Sequence, residues 1–328
     1  MKQMFKEAYF YSHHSTISLY APWVCVEFDA DPSLKDLLLQ KNKINHKNFQ
    51  AALEKFREFS IFFETPRKNL LPVKPFYPVN IPSISTIPNF IDIPYLLKKA
   101  RAYSSCYDPL TVFQILEKES VHFQSRIENE TDIYSPLNAL INVDKEKFKK
   151  ALIYILNQTF YITNNFSKIV NPHTEVIKTL NQIIINIYEE EVGHDKLIKE
   201  SLSELGVLPE NGLVIEESKQ LMNLLEECIK KSHICFAILI SQLEGSYYPD
   251  KDPLVSIIEK SHIPRVALGL KKHFNINKSH NHISIGYKVA NAFKQYLSYE
   301  EVIQAVRVTE FLNYIQKSTD KKIIDFIK

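Results

Sequence analysis

From residue 135 onward, apolar positions recur every three or four residues, with polar and charged positions between them. That is the helical period. It predicts helices over 145–168, 174–204, 214–245, 264–294 and 298–317, all long and poor in glycine. Upstream, 45–63, 94–103 and 109–127 also read as helices. Asp92 before Pro94 and Asp108 before Pro109 give two of these starts capping chemistry, an acceptor followed by a proline that needs no donor. Strand-like alternation is weak, with VCVEF (24–28) the one short candidate. Seven prolines fall between Pro66 and Pro94, as in PVKPFYPVNIPSISTIP. Proline removes a donor and fixes φ, so 65–95 is expected to be an extended connection packed through its Phe, Tyr and Ile side chains. No repeat of 20–50 residues is visible. The pattern predicts an all-α protein, with a mostly helical extension over 1–130 and a helical bundle over 131–328.

Composition narrows the function classes. The 328 residues are 45% hydrophobic and 24% charged, enough apolar material for a core. Lys and Arg number 40 against 38 Asp and Glu, so the whole chain has no basic footprint for nucleic acid. The first of only six glycines is Gly193, and the six form neither a dinucleotide fingerprint nor a P-loop. Cys25, Cys106, Cys228 and Cys235 contain no C-x-x-C pair, as expected of a reduced, cytoplasmic protein. No apolar run is long enough to span a membrane, and the N-terminal residues do not resemble a signal peptide.

Polar residues interrupt several apolar stripes. In 174–204, Leu180, Ile184, Ile187, Glu191, His194 and Ile198 share one face, while Glu189 and Glu190 point elsewhere. A carboxylate there is costly unless paired or metal-bound. A Glu–His hydrogen bond inside the bundle would also satisfy it. In 214–245, Ile234, Ala237, Ser241 and Glu244 share a face of an almost wholly apolar segment, and Glu244 either enters a site or reaches solvent. In 264–294 the stripe is Val266, Leu270, His273, Asn277, His280, Ser284 and Tyr287. His282 falls off it and is expected to face solvent. Tyr154, Gln158, Tyr161 and Asn165 form a polar, uncharged face of 145–168. That face suits either interhelical hydrogen bonds or a substrate cavity. Two carboxylates and two imidazoles (Glu191, His194, Glu244, His273), with His280 beyond, suit a borderline metal such as Fe(II) or Mn(II). Glu-x-x-His pairs completed from other helices are how bundles build such sites.

Four segments in order carry a resemblance: SPLNALINVDKEKFKKALIYILNQTFYITNNF, EEEVGHDKLIKESLSELG, LEGS and HFNINKSH. From about Ser135 to Ala292 the chain resembles the haem-oxygenase-like diiron oxidase superfamily, the iron-containing redox enzymes, whose relatives include TenA-like thiaminases and PqqC-type oxidases. The resemblance implies a haem-oxygenase-like bundle that binds iron. It also implies use of dioxygen on a small amine, amino-acid-derived or fatty-acid-like substrate. Glu191, His194, Glu244 and His273 would form the first iron site; Asn277, where the family has Asp, and His280 would belong to the second. The family's second-site carboxylate on the first bundle helix has no counterpart, since Gln158 and Tyr161 occupy that region. One tightly held Fe(II) and a weak second position are therefore expected, with Tyr154, Gln158 and Tyr161 as substrate-binding candidates. Glu119 and His122 make a further E-x-x-H, outside the resembling segment and more in keeping with an exposed face.

Two alternatives stand beside this reading. One is a metal-independent TenA- or PqqC-like enzyme, with Cys228 and Cys235 as nucleophile candidates that lack an evident base. The other is a non-catalytic relative that binds a small molecule or a protein. The first 130 residues would then cover the open side of the bundle, bind a partner, or form an oligomer contact such as that of a homodimer.

Overall fold

The computed structural model describes residues 9–13, 16–21, 24–29, 70–73, 75–82, 87–171, 181–209, 212–244, 252–280, 282 and 285–328. The helix expected over 45–63 lies outside them, as does Ser284. Near the N-terminus, β1 (Tyr9–His13), β2 (Thr16–Ala21) and β3 (Val24–Asp29) form an antiparallel sheet in the order β1-β2-β3. Its register pairs Phe10 with Leu19 and Leu19 with Val26. VCVEF is β3, as expected. The two strands before it carry aromatic and β-branched residues that favour extended backbone, so this part of the extension is not helical.

Residues 75–82 and 87–92 form the expected extended connection. Side chains from the last helix hold it down. Gln304 accepts from the Val79 amide at 2.6 Å, and Glu310 accepts from Phe90 and Ile91 at 3.1 and 3.4 Å. Next come α1 (Ile93–Ala100), a small hairpin of β4 (Arg101–Tyr103) and β5 (Cys106–Tyr107), and α2 (Pro109–Thr131). Asp92 and Asp108 cap the two helices, accepting from Tyr95 and Thr111 at 3.0 and 3.1 Å.

The remaining helices are α3 (Tyr134–Val143), α4 (Lys145–Val170), α5 (Asn181–Glu191), α6 (His194–Glu204), α7 (Glu216–Lys231), α8 (His233–Glu244), α9 (Pro253–Glu259), α10 (Ala267–Ser279), α11 (Ile285–Asn291) and α12 (Tyr299–Ile327). The helical class is as the periodicity predicted. Three of the long helices are interrupted. Gly193, at φ +96°, separates α5 from α6, a conformation that costs glycine nothing. Ser232 adopts extended backbone between α7 and α8. The 264–294 segment opens with a single 3-10 turn and stops at Ser279, with His280 as the C-cap. The short helix α9 starts where Asp252 caps two amides.

The bundle has two apolar clusters. One gathers α2, α7, α8, α11 and most of α12 around the fully buried run Ile234–Ile240; the other gathers α3, α4, α6, α9, α10 and the end of α12. Each buried aliphatic side chain contributes roughly 1.5–3 kcal/mol, so this run alone supplies a large share of cohesion. Val112, Phe113 and Leu116 of α2, within the expected extension, sit in the same core as α8 and α12. Two glycines set the spacing of helix pairs. A Cβ on Gly269 of α10 would lie 2.0 Å from the Leu197 carbonyl oxygen of α6. One on Gly286 of α11 would lie 2.4 Å from the Ser241 Cβ and 2.6 Å from the Ala237 carbonyl oxygen of α8.

Candidate metal centre

These two close-packed pairs, α6 with α10 and α8 with α11, bring the polar interruptions together. Glu191 ends α5 and His194 begins α6, so the Val192–Gly193 turn lies between them, yet both remain inward. They are 4% and 3% exposed. Glu244 is the last residue of α8, His273 lies within α10, and His282 sits in the break before α11.

Two triads result. The ligand atoms of Glu191, His194 and His273 lie within 4.8 Å of one another, as do those of Glu191, Glu244 and His282. Glu191 belongs to both. Its Oε2 is 2.9 Å from His194 Nδ1 and its Oε1 is 3.3 Å from His282 Nδ1. His282 Nδ1 also meets Glu244 Oε2 at 3.2 Å, and its Nε2 lies 3.2 Å from Glu190. The His194 and His273 rings meet edge to face at 4.6 Å.

The short Glu191–His194 approach is not aligned for a hydrogen bond. Both ring nitrogens of His194 are buried without a hydrogen-bond partner, as are Glu191 Oε1, His282 Nε2 and Asn277 Oδ1. Buried polar atoms are nearly always satisfied. Several unsatisfied donor atoms turned toward one another are the disposition expected of ligands around an ion.

Burial is the largest influence on the titration of these groups, with neighbouring charges second. Burial raises the Glu191 carboxyl above its ordinary value, the charge of Glu244 adds to this, and His194 and His282 counter it only in part. Burial lowers His273 to about 4, with His194 reinforcing the effect. For His282, burial favours the neutral ring, but the Glu244 hydrogen bond and the charges of Glu244, Glu191 and Glu190 outweigh it, so its affinity for a proton rises.

Several sequence expectations change here. The four residues expected in one first site divide between two triads that share Glu191. His282, expected in solvent, is 1% exposed and central. His280, expected in the second site, is 45% exposed at the rim, 3.3 Å from Glu190. The reason is local: α10 ends at Ser279, so the stripe cannot be extended through 280, and the turn brings the next histidine inward. Glu190, assigned to another face, reaches both His280 and His282. Glu244 does not face solvent. Asn277 lies beside it, donating from Nδ2 to Glu244 Oε2 at 3.2 Å.

The substrate-binding candidates all make contacts within the scaffold. Gln158 donates to the Leu213 carbonyl and accepts from Ile215 and Ser218. Tyr154 stacks on Phe326 at 4.6 Å, and Tyr161 packs against the first apolar cluster. Glu119 and His122 join neither triad. Cys228 is fully buried, and burial together with Cys235 pushes its thiol well up, which does not suit a nucleophile.

Sequence reasoning missed a buried carboxyl on α2, Glu117. Phe113, Glu117, Ser120 and Gln124 step by four, three and four, so a face was legible there. Glu117 is 5% exposed, and its Oε2 accepts from Ser241 at 3.0 Å, one turn before Glu244.

No known protein family, curated protein or solved structure matches the chain. No helix among the described residues is long and apolar enough to cross a membrane.

Proposed function

We propose that the two triads bind a divalent transition metal, Fe(II) foremost, and that the chain is a dioxygen-using oxidoreductase. Its substrate class would be a small amine, amino-acid-derived or fatty-acid-like molecule. The observation that carries the reading is the His194 imidazole, buried with neither ring nitrogen hydrogen-bonded, beside the Glu191 carboxylate, whose other oxygen, Oε1, is likewise unsatisfied. The donor set, nitrogen and carboxylate without thiolate, fits Fe(II) and Mn(II). Bound iron would supply the electrons with which dioxygen is reduced.

The protein's own residues have distinct parts in this scheme. Glu191, common to both triads, would offer its carboxylate to either position. His194 and His273 define one of them, and Glu244 and His282 the other. Asn277 fixes the rotamer of Glu244 through its amide. Burial of Glu191, His194 and His282 would exclude bulk water from the site. The second position would then draw a histidine and a carboxylate of its own from His282 and Glu244, in place of Asn277 and His280.

Anaerobic titration of the purified chain with Fe(II), read by metal analysis and then by the optical change on exposure to oxygen, tests the proposal. Expected are tight uptake, an oxygen-dependent spectral change and loss of both in His194→Ala and His273→Ala, with helical content unchanged. Uptake of equal affinity in those variants would overturn it.

A further inference from the structure

The molecule holds a second feature that the triads do not use. A cavity of about 570 Å³ opens between α2, the last turn of α8 and α12. Four of its wall residues carry carboxyl groups: Glu117, Glu128, Asp132 and Asp320. None of the wall residues is lysine, arginine or histidine. The remainder of the wall is rich in hydroxyls and amides.

Those neutral groups are occupied with one another. Ser120 and Asn313 exchange hydrogen bonds at 3.1 and 2.8 Å, Gln124 donates to Asn313, and Gln242 donates to Ser120. Glu117 is different. One oxygen takes the Ser241 hydroxyl, while Oε1 is buried with no partner in a wall that offers no cation. Such a carboxyl, neutral while the cavity is empty, is a place for a ligand cation, which on binding would displace its proton.

The layout fixes the shape of that ligand. The Ser120–Asn313 bonds join α2 to α12. Glu117 lies one turn before Ser120, and Asp320 lies seven residues beyond Asn313. At ~1.5 Å per residue, the inner and outer carboxyls are separated by roughly 10–15 Å along the helices. One metal ion cannot touch both. A flexible aliphatic chain with a cation at each end can. Among the described residues, the donor to Asp320 is the Gln316 amide, at 3.1 and 3.0 Å, and burial pushes its carboxyl up to about 6. A cation there would restore its charge.

We propose that this cavity is a binding site for an elongated aliphatic polyamine, with its inner ammonium on Glu117 and its outer ammonium at Asp320 and Glu128. The site contains no triad residue, so the inference does not depend on metal binding.

Calorimetric titration of the full chain with spermidine at pH 7 tests it, with and without Fe(II). Saturable binding is expected, with the same affinity in both metal states. Glu117→Gln should weaken it at least tenfold, and Asp320→Asn, at the mouth, severalfold. Circular dichroism checks that both variants remain folded. Magnesium chloride and 1,8-octanediol, which lack the spaced ammonium groups, should not compete. Absent spermidine binding, full affinity in both variants, or displacement by millimolar magnesium would each overturn the assignment.

Discussion

Glu117→Gln should stabilise the protein, and by an amount that grows with pH. The carboxyl is 5% exposed, and burial lifts it from an ordinary 4.5 to about 8 despite the Ser241 hydrogen bond. A raised acid stays protonated in the folded chain while the unfolded chain ionises. Its penalty is therefore absent below 4.5, grows between 4.5 and about 8, and is constant above. Over the 2.5 pH units from 4.5 to 7, at ~1.4 kcal/mol each, the penalty reaches about 3 kcal/mol. At pH 5 it is about 1 kcal/mol, and at pH 8 about 4. Glutamine keeps the oxygen that accepts from Ser241 and cannot ionise. Urea unfolding of both proteins at pH 5, 6, 7 and 8, followed by circular dichroism, gives the difference directly. Other titrating groups, such as Glu191 and His282, cancel in it, as does any constant packing change. The expected result is a variant-minus-wild-type difference that rises by about 3 kcal/mol from pH 5 to pH 8. A difference flat across that range would refute the reasoning, because it would mean that Glu117 titrates alike in the folded and unfolded chains.

His282→Ala should reduce Fe(II) affinity at least tenfold, whereas His280→Ala should change it less than twofold; anaerobic titration separates them, and the reverse order would restore the uninterrupted helical stripe. Asn277→Asp removes the amide donor to Glu244 and adds a third charge beside Glu191. It should lower the melting temperature of the metal-free chain and raise occupancy of the Glu244–His282 position, both measurable by calorimetry with and without Fe(II). Gly286→Ala must push Ser241 and the Ala237 carbonyl away, and Gly269→Ala the Leu197 carbonyl. Each should cost about 1–3 kcal/mol or more in urea unfolding, and a neutral result would show that the helix pairs can part without loss.

The legible parts of this chain were those governed by uninterrupted periodicity. Ile184, Ile187, Glu191, His194 and Ile198 are buried as their spacing predicts, because the Val192–Gly193 turn preserves the three-residue offset between glutamate and histidine. The Asp92 and Asp108 caps were readable from an acceptor next to proline. What periodicity could not supply was the end of each helix. His280 and His282 exchanged places because a helical projection has no meaning past Ser279. The H-x-H pair itself was the available signal, since in a non-helical turn alternate residues diverge. Glu117 lies on the face that α2 presents to the core, but the E-x-x-H of Glu119 and His122 is the more conspicuous pattern in that stretch of sequence.

Nearly every triad residue sits at a helix end: Glu191 closes α5, His194 opens α6, Glu244 closes α8 and His282 follows α10. Helix ends are where a fold loosens first, by fraying. An ion held by them would act as a staple between stretches about 50 and about 40 residues apart in the chain, from helices rooted in two separate apolar clusters. Cross-links that close loops of that size restrict the open states more than they alter the closed one. The consequence is one of timing. Metal would be loaded only after both clusters had formed and brought the ends together, and once loaded it would have to leave before the ends could fray. The loaded protein would then be set apart chiefly by slow opening, seen as resistance to proteolysis and slow amide exchange around Gly193 and Glu244.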